Sequence, residues 1–281
     1  MNAHATPPWH TGWQAELELA YQRRDGASLP SRRWHRGPLR VQKHFHPEGP
    51  DVCHHIIVHP PGGIAGGDHL RLDLDLGPDS HALLTSPGAA KWYRCQHTPA
   101  QQTLTARLAA GAVLEWLPQE TILFSGARAE LSAQLELSGD ARLLWGDVVC
   151  LGRPAAGERF ACGHWAQRSE LWRDGQLIWH EQLWLDGDDP LLDAAAGLAG
   201  HGVAATLLWA GPELDEPAMT LARACCAEHG HAACTQLPGV WLARWLGDSA
   251  EVALAWQRAL WTALRPHWLQ RPAHAPRIWR T

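Results

Sequence analysis

Cys53-His54-His55-Ile56-Ile57-Val58-His59-Pro60-Pro61-Gly62-Gly63-Ile64-Ala65-Gly66-Gly67-Asp68, followed at once by His69-Leu70-Arg71-Leu72-Asp73-Leu74-Asp75-Leu76, is the stretch on which the fold turns. The apolar run Ile56 to Val58 reads as a buried strand. Pro60 and Pro61 stop it, since neither can donate to a ladder. The glycine pairs Gly62-Gly63 and Gly66-Gly67 permit positive φ and close backbone approach. Beyond Asp68, four leucines at 70, 72, 74 and 76 alternate with Arg71, Asp73 and Asp75. That period of two marks a strand with one buried face. Strand, tight corner and strand within 24 residues imply an all-β body or a loop that handles a metal or a phosphate.

Outward from this stretch the same rhythm continues. Trp13 to Tyr21 alternates, and residues 1–12 before it read as disordered. Arg23 to Arg36 carries five arginines with Gly26 and Pro30 and reads as a solvated loop, or alternatively as a segment that holds a partner. Pro38 to Phe45 is a further strand. On the C-terminal side, strands are predicted over His81–Thr85, Gln101–Arg107, Ala112–Leu117, Thr121–Phe124, Leu131–Leu137 and Ala141–Leu151. Asp174-Gly175 is a two-residue turn between strands over Arg159–Trp172 and Gln176–Leu185. About a dozen short strands without a fixed repeat imply a sandwich, a barrel or a strand solenoid.

The character changes after Gly187. Val203 to Ala210 and Val240 to Leu246 read as strands. Pro217 to His229 reads as a helix stopped by Gly230. Asp248-Ser249-Ala250-Glu251 caps a second helix, which Pro266 ends. The expected organisation is a β-rich body over 13–186 and a smaller α+β part over 187–281 packed on it.

Composition narrows the function. The 281 residues, 46% hydrophobic and 19% charged, suit a folded protein with a sizeable core. A net charge of −5 gives no footprint for nucleic acid. The first ten residues lack the apolar core of a signal peptide, and no run of about 18 apolar residues spans a membrane. Seven cysteines, an odd set, read as reduced thiols in the cytoplasm. Seventeen tryptophans against three phenylalanines assign the core bulk to indole, expected half buried with Nε1 partnered.

No nucleotide-binding glycine motif and no nucleophile elbow is present. Cys53, His54, His55 and His59 offer possible metal ligands on a strand, or hydrogen-bonded core histidines. Cys225-Cys226-x-x-His229-x-His231-x-x-Cys234 lacks the paired Cys-x-x-Cys spacing of a structural zinc site. Asp68, Asp147 and Glu181 suit a weak, transient metal route, because carboxylates hold divalent ions more loosely than thiolates.

Several segments, in order, resemble the urease accessory protein UreD (UreH) family. They are Gly37-Pro38-Leu39-x-Val41-Gln42-Lys43, the Cys53–Asp68 stretch, Thr85-x-Pro87-Gly88-Ala89-x-Lys91-Trp92-Tyr93-Arg94, Leu114-Glu115-Trp116-Leu117-Pro118-Gln119-Glu120, and Leu151-Gly152-Arg153-Pro154-Ala155. The resemblance implies a β-helix-like stack of many short strands with two helices near the C-terminus. It also implies a maturation factor and not an enzyme. Such a factor binds apo-urease, recruits UreF and the GTPase UreG, and passes Ni²⁺ through its body without holding any cofactor tightly. Asp68, Glu120, Asp147 and Glu181 are the candidate stations for the ion, with His54, His55 and His59 behind them. The competing readings are a metal-dependent enzyme using the His-rich glycine loop and a carbohydrate-binding β module.

Overall fold

A computed structural model describes residues 12–280. The expected disordered stretch therefore lies outside the described residues, Gly12 excepted. Eighteen strands are found among them: β1 (Gln14–Arg24), β2 (Ala27–Arg36), β3 (Arg40–Val41), β4 (Val52–Val58), β5 (His69–Leu76), β6 (His81–Thr85), β7 (Ala90–Trp92), β8 (Ala100–Leu108), β9 (Val113–Trp116), β10 (Thr121–Leu123), β11 (Arg128–Leu137), β12 (Arg142–Arg153), β13 (Glu158–Arg159), β14 (His164–Arg173), β15 (Gln176–Asp186), β16 (Val203–Ala210), β17 (His231–Leu237) and β18 (Val240–Gly247). The helices are α1 (Glu216–Ala227) and α2 (Ala250–Leu269).

The chain coils. From β4 to β14 it alternates between two facing sheets, and each turn lays a new parallel strand beside the last. One sheet runs β15-β14-β11-β8-β5-β1-β2; the other runs β17-β18-β16-β12-β9-β6-β4-β3. A short third strip, β7-β10-β12, is parallel as well. This is the expected β-helix-like stack. Hairpin strands close it: β2 and β15 on the first sheet, β16, β18 and β17 on the second.

Period two puts the apolar residues inside. Leu17, Leu72, Leu104 and Ala133 form one register row, and Leu19, Leu74, Ala106, Leu135 and Leu171 the next. A second core lies on the other side of the second sheet, under the helices. There Trp209 stacks on Trp268 with ring centroids 5.3 Å apart, and Trp241, Trp256 and Trp261 are fully buried. β12 and β16 serve both cores, which is why Ala141 to Leu151 is apolar almost throughout.

Several expectations need correction. Arg23 to Arg36 is no loop: Asp25 (φ 51°) and Gly26 (φ 77°) make a tight turn into β2. Alternation fails to mark β2 because both its faces are exposed from Ser31 onward. Pro38 to Phe45 supplies only the two residues of β3 and one bridge, Phe45 to His54. Ile56 to Val58 is the end of β4, whose buried residues are Val52 to His55 and Ile57. β17 lies where the cysteine-histidine cluster gave no strand signal. Pro266 does not end α2, which runs on to Leu269 and stops at Gln270 in the left-handed conformation. The α2 cap is Ser249, accepting from Val252 N–H at 3.3 Å. Asp248 instead accepts from Gly202 N–H at 3.0 Å. Nine tryptophans are buried outright and not half buried, and the indole nitrogens of Trp92, Trp241 and Trp268 have no hydrogen-bond partner among the described residues.

Candidate functional site

The inward-facing residues of β12 are Leu143, Trp145, Asp147, Val149 and Leu151. Asp147 is the one acid in that row. Register places it beside Thr206 of β16, which lies beside Arg244 of β18. Facing them, β14 contributes Gln167 and Ser169, and Ser169 is paired with Glu181 of β15. A polar strip thus crosses an otherwise apolar interior.

Cavities open on both sides of the strip. One, of about 250 Å³, reaches from Trp145 and Asp147 past Trp116 to the glycine loop at Gly62 to Ile64. The other, of about 590 Å³, extends from Asp147 to Glu181, Arg244 and His231. Trp145, Asp147, Gln167 and Ser169 line both, so the cavities meet at Asp147. Gln167 Nε2 donates to Asp147 Oδ2 at 2.6 Å. Asp147 is enclosed by protein, and the surface it keeps faces the cavities. Enclosure raises its pKa above the aspartate range and the Glu181 charge adds to the rise, while the Gln167 bond opposes it. Arg244 Nη2 pairs with Glu181 Oε1 at 2.7 Å where the second cavity opens to solvent. Two carboxylates, a carboxamide and two hydroxyls are hard oxygen donors, suited to loose handling of a divalent cation.

The other candidate residues lie elsewhere. Asp68 spends its two oxygens on Trp13 N–H and Ala65 N–H, both at 2.8 Å, and so ties the glycine loop to the start of β1. His59 lines the first cavity, and burial lowers its pKa. Glu120 lines neither cavity; its charge is felt by Arg258 and Cys150. His54 and His55, adjacent on β4, point to opposite sides of the second sheet. His55 meets Tyr21 Oη at 2.7 Å, and burial pushes its pKa down to about 3. His54 Nε2 lies 2.7 Å from Glu48.

That contact opens a network invisible to sequence spacing. Fully buried Arg265 of α2 pairs with Glu48 at 2.7 Å and Glu115 at 2.8 Å. His81 and Trp261 Nε1 each reach Glu115 at 2.7 Å. Burial alone would raise the Glu115 pKa, but His81 and Arg265 hold it down at about 2. The network pins α2 to the second sheet. Its only trace in the sequence is a glutamate inside the apolar strand Val113-Leu114-Glu115-Trp116. Gln167, Thr206 and Arg244 carried no sequence signal either, since each is an ordinary strand residue.

In the cysteine-histidine cluster, the free thiols of Cys226 and Cys234 are hydrogen-bonded, which lowers the Cys234 pKa to about 7. His229 Nδ1 lies 2.9 Å from Cys225 O, which ties that ring to the helix backbone. Among the described residues, no three His, Cys, Asp or Glu gather as a metal centre. No helix among them is long and apolar enough to cross a membrane.

Fold and strip define a class: a solenoid-like β body with an oxygen-lined strip joining two interior cavities. Comparison with known proteins gives the family. The model of the family described as UreD urease accessory protein matches residues 14–280. The urease accessory protein UreD of Pseudomonas aeruginosa is 55% identical, with 97% of each chain covered. That of Pseudomonas fluorescens strain Pf0-1 is 54% identical over 98% of this chain and 96% of the relative. The chain belongs to the UreD family, and its role is accessory to urease, in urease maturation.

Proposed function

We propose that this protein is a cytoplasmic nickel-insertion scaffold: it binds apo-urease, recruits UreF and UreG, and lets Ni²⁺ cross its β body by way of the Asp147 strip. The junction of the two cavities at Asp147 carries this reading. Enclosing the Asp147 carboxylate beside open space costs stability, a cost that a role in handling the ion accounts for. The oxygen donors stop short of a closed shell, so a passing ion is touched and not trapped. Asp147 is the central station and Glu181 the outer one, where the ion displaces Arg244 from its carboxylate. His59 stands at the far end of the first cavity. Asp68 and Glu120 contribute through the loop geometry, and His54 and His55 through packing. No tightly bound cofactor is required.

The test is co-expression with the urease subunits, UreF and UreG. Asp147→Ala and Glu181→Ala are expected to leave the co-purified complex intact while urease activation falls. Full activation by both variants would overturn the proposal, as would failure of the unaltered chain to associate with any of these partners.

A further inference from the structure

The open edge between β2 and β3 has a chemistry that the ion passage does not use. Residues 26–47 contain no aspartate or glutamate, yet carry Arg32, Arg33, Arg36, Arg40 and Lys43 with His35, His44 and His46. In a chain of net charge −5 this is a local reversal of sign. Arg32 and Arg36 are neutralised on one face by Glu18 and Glu16. Strand alternation puts Arg33 and His35 on the other face, in register with Leu19 and Leu17. There His35 Nε2 meets Arg40 Nη1 at 2.6 Å, joining β2 to β3. The Arg33 charge is felt by Tyr21, His44, Cys53 and His55, so its guanidinium overlooks the same edge. Arg33 and Lys43 enter no ion pair among the described residues.

A second observation points to a ligand. His55 is 0% exposed, and its Nε2 has no partner. Tyr21 Oη lies 2.7 Å from His55 Nδ1, which leaves Nε2 as the unpartnered nitrogen of the ring. The His44 ring lies 5.7 Å away with its own Nδ1 unpartnered. Unpaired Arg33 and Lys43 beside unpartnered buried imidazole nitrogens call for a ligand with negative charge. The surroundings suit an extended chain. β2 is the last strand of its sheet, so one side of its backbone has no strand partner, and Trp34 and Phe45 are 38% and 48% exposed beside it.

We infer that this edge is a docking site for an acidic, extended segment of a partner protein, paired along β2 with a carboxylate set against Arg33 and the His44–His55 pair. Residues 1–11 of the chain contain no acid and cannot fill that role. Arginine and proline on an edge strand also discourage strand-to-strand aggregation. That function explains neither the unpartnered His55 Nε2 nor the aromatic rim.

The test uses the full chain and a fluorescein-labelled (Glu-Val)₄ peptide, followed by fluorescence anisotropy, with (Lys-Val)₄ and inorganic phosphate as controls. The acidic peptide is expected to bind with an affinity that falls steeply with salt. It should also slow amide exchange along residues 31–36. The Arg33→Glu/Arg40→Glu double variant should weaken it about tenfold or more, and His55→Phe by a smaller factor. The arginines are exposed, so an unchanged thermal melt would show the fold intact. No binding of (Glu-Val)₄, equal binding by the double variant, or complete competition by millimolar phosphate, which indicates a small-anion site, would each overturn the inference.

Discussion

Asp147 is an acid where the strand pattern calls for an apolar residue. In the sequence it stood out only as a charge within the run Ala141 to Leu151, and nothing there predicted Gln167 or Arg244 as its neighbours. Its environment gives a prediction with a definite sign. The folded-state pKa is raised, so ionised Asp147 costs stability above the ordinary aspartate range, and the cost fades as pH falls through the raised value. Asp147→Asn keeps an acceptor for Gln167 and is expected to raise the melting temperature at neutral pH, with the gain shrinking in acid. A lower melting temperature at neutral pH would contradict this. Glu115 behaves in the opposite sense. Its pKa is held at about 2, so its contribution is full above the ordinary glutamate range and is lost as pH falls from that range toward about 2. Glu115→Gln removes one of the two carboxylates that neutralise buried Arg265 and is expected to cost about 3–5 kcal/mol at neutral pH in a denaturant titration. A cost below about 1 kcal/mol would show that Glu48 alone satisfies the guanidinium.

At the scale of elements, legibility followed burial. β5 and β11 could be read because one face is buried and the other is wet, and the β14–β15 hairpin because Asp174-Gly175 permits only a tight turn. β2 could not, although Asp25-Gly26 is the same signal, because its flanking residues are exposed on both faces. The glycine loop was legible as a corner, and the role of Asp68 as its clasp follows from two backbone bonds that sequence cannot show. Helix α2 was read one residue early, since Asp248 and Ser249 are both good caps. Ser249→Ala is expected to lose about 1 kcal/mol and to fray the first turn of α2. Asp248→Ala should instead loosen the segment at Gly202 and leave helix content, measured by circular dichroism, unchanged.

At the scale of the molecule, two cores share the second sheet, and the sequence shows the second only as an α+β part packed on the β body. The second is built by contacts between residues far apart in the chain, such as Arg265 with Glu48, separated by 217 positions, which no local period reports. Trp256→Ala in that core is expected to cost about 3–5 kcal/mol and to loosen α2 from the sheet, seen as faster amide exchange along 250–269. The interior strip was legible in part. Asp147 and Glu181 were among the candidates, but their meeting across two sheets depends on the coil returning β14 and β15 opposite β12. That meeting point is the proposed path for the ion. The direct measurement is the nickel content of urease matured in the presence of a chain carrying Ser169→Phe, which fills the junction of the cavities and leaves the outer surface unchanged. An ion path through the junction requires an assembled complex whose urease lacks nickel; a complex whose urease carries its full nickel complement would rule that path out.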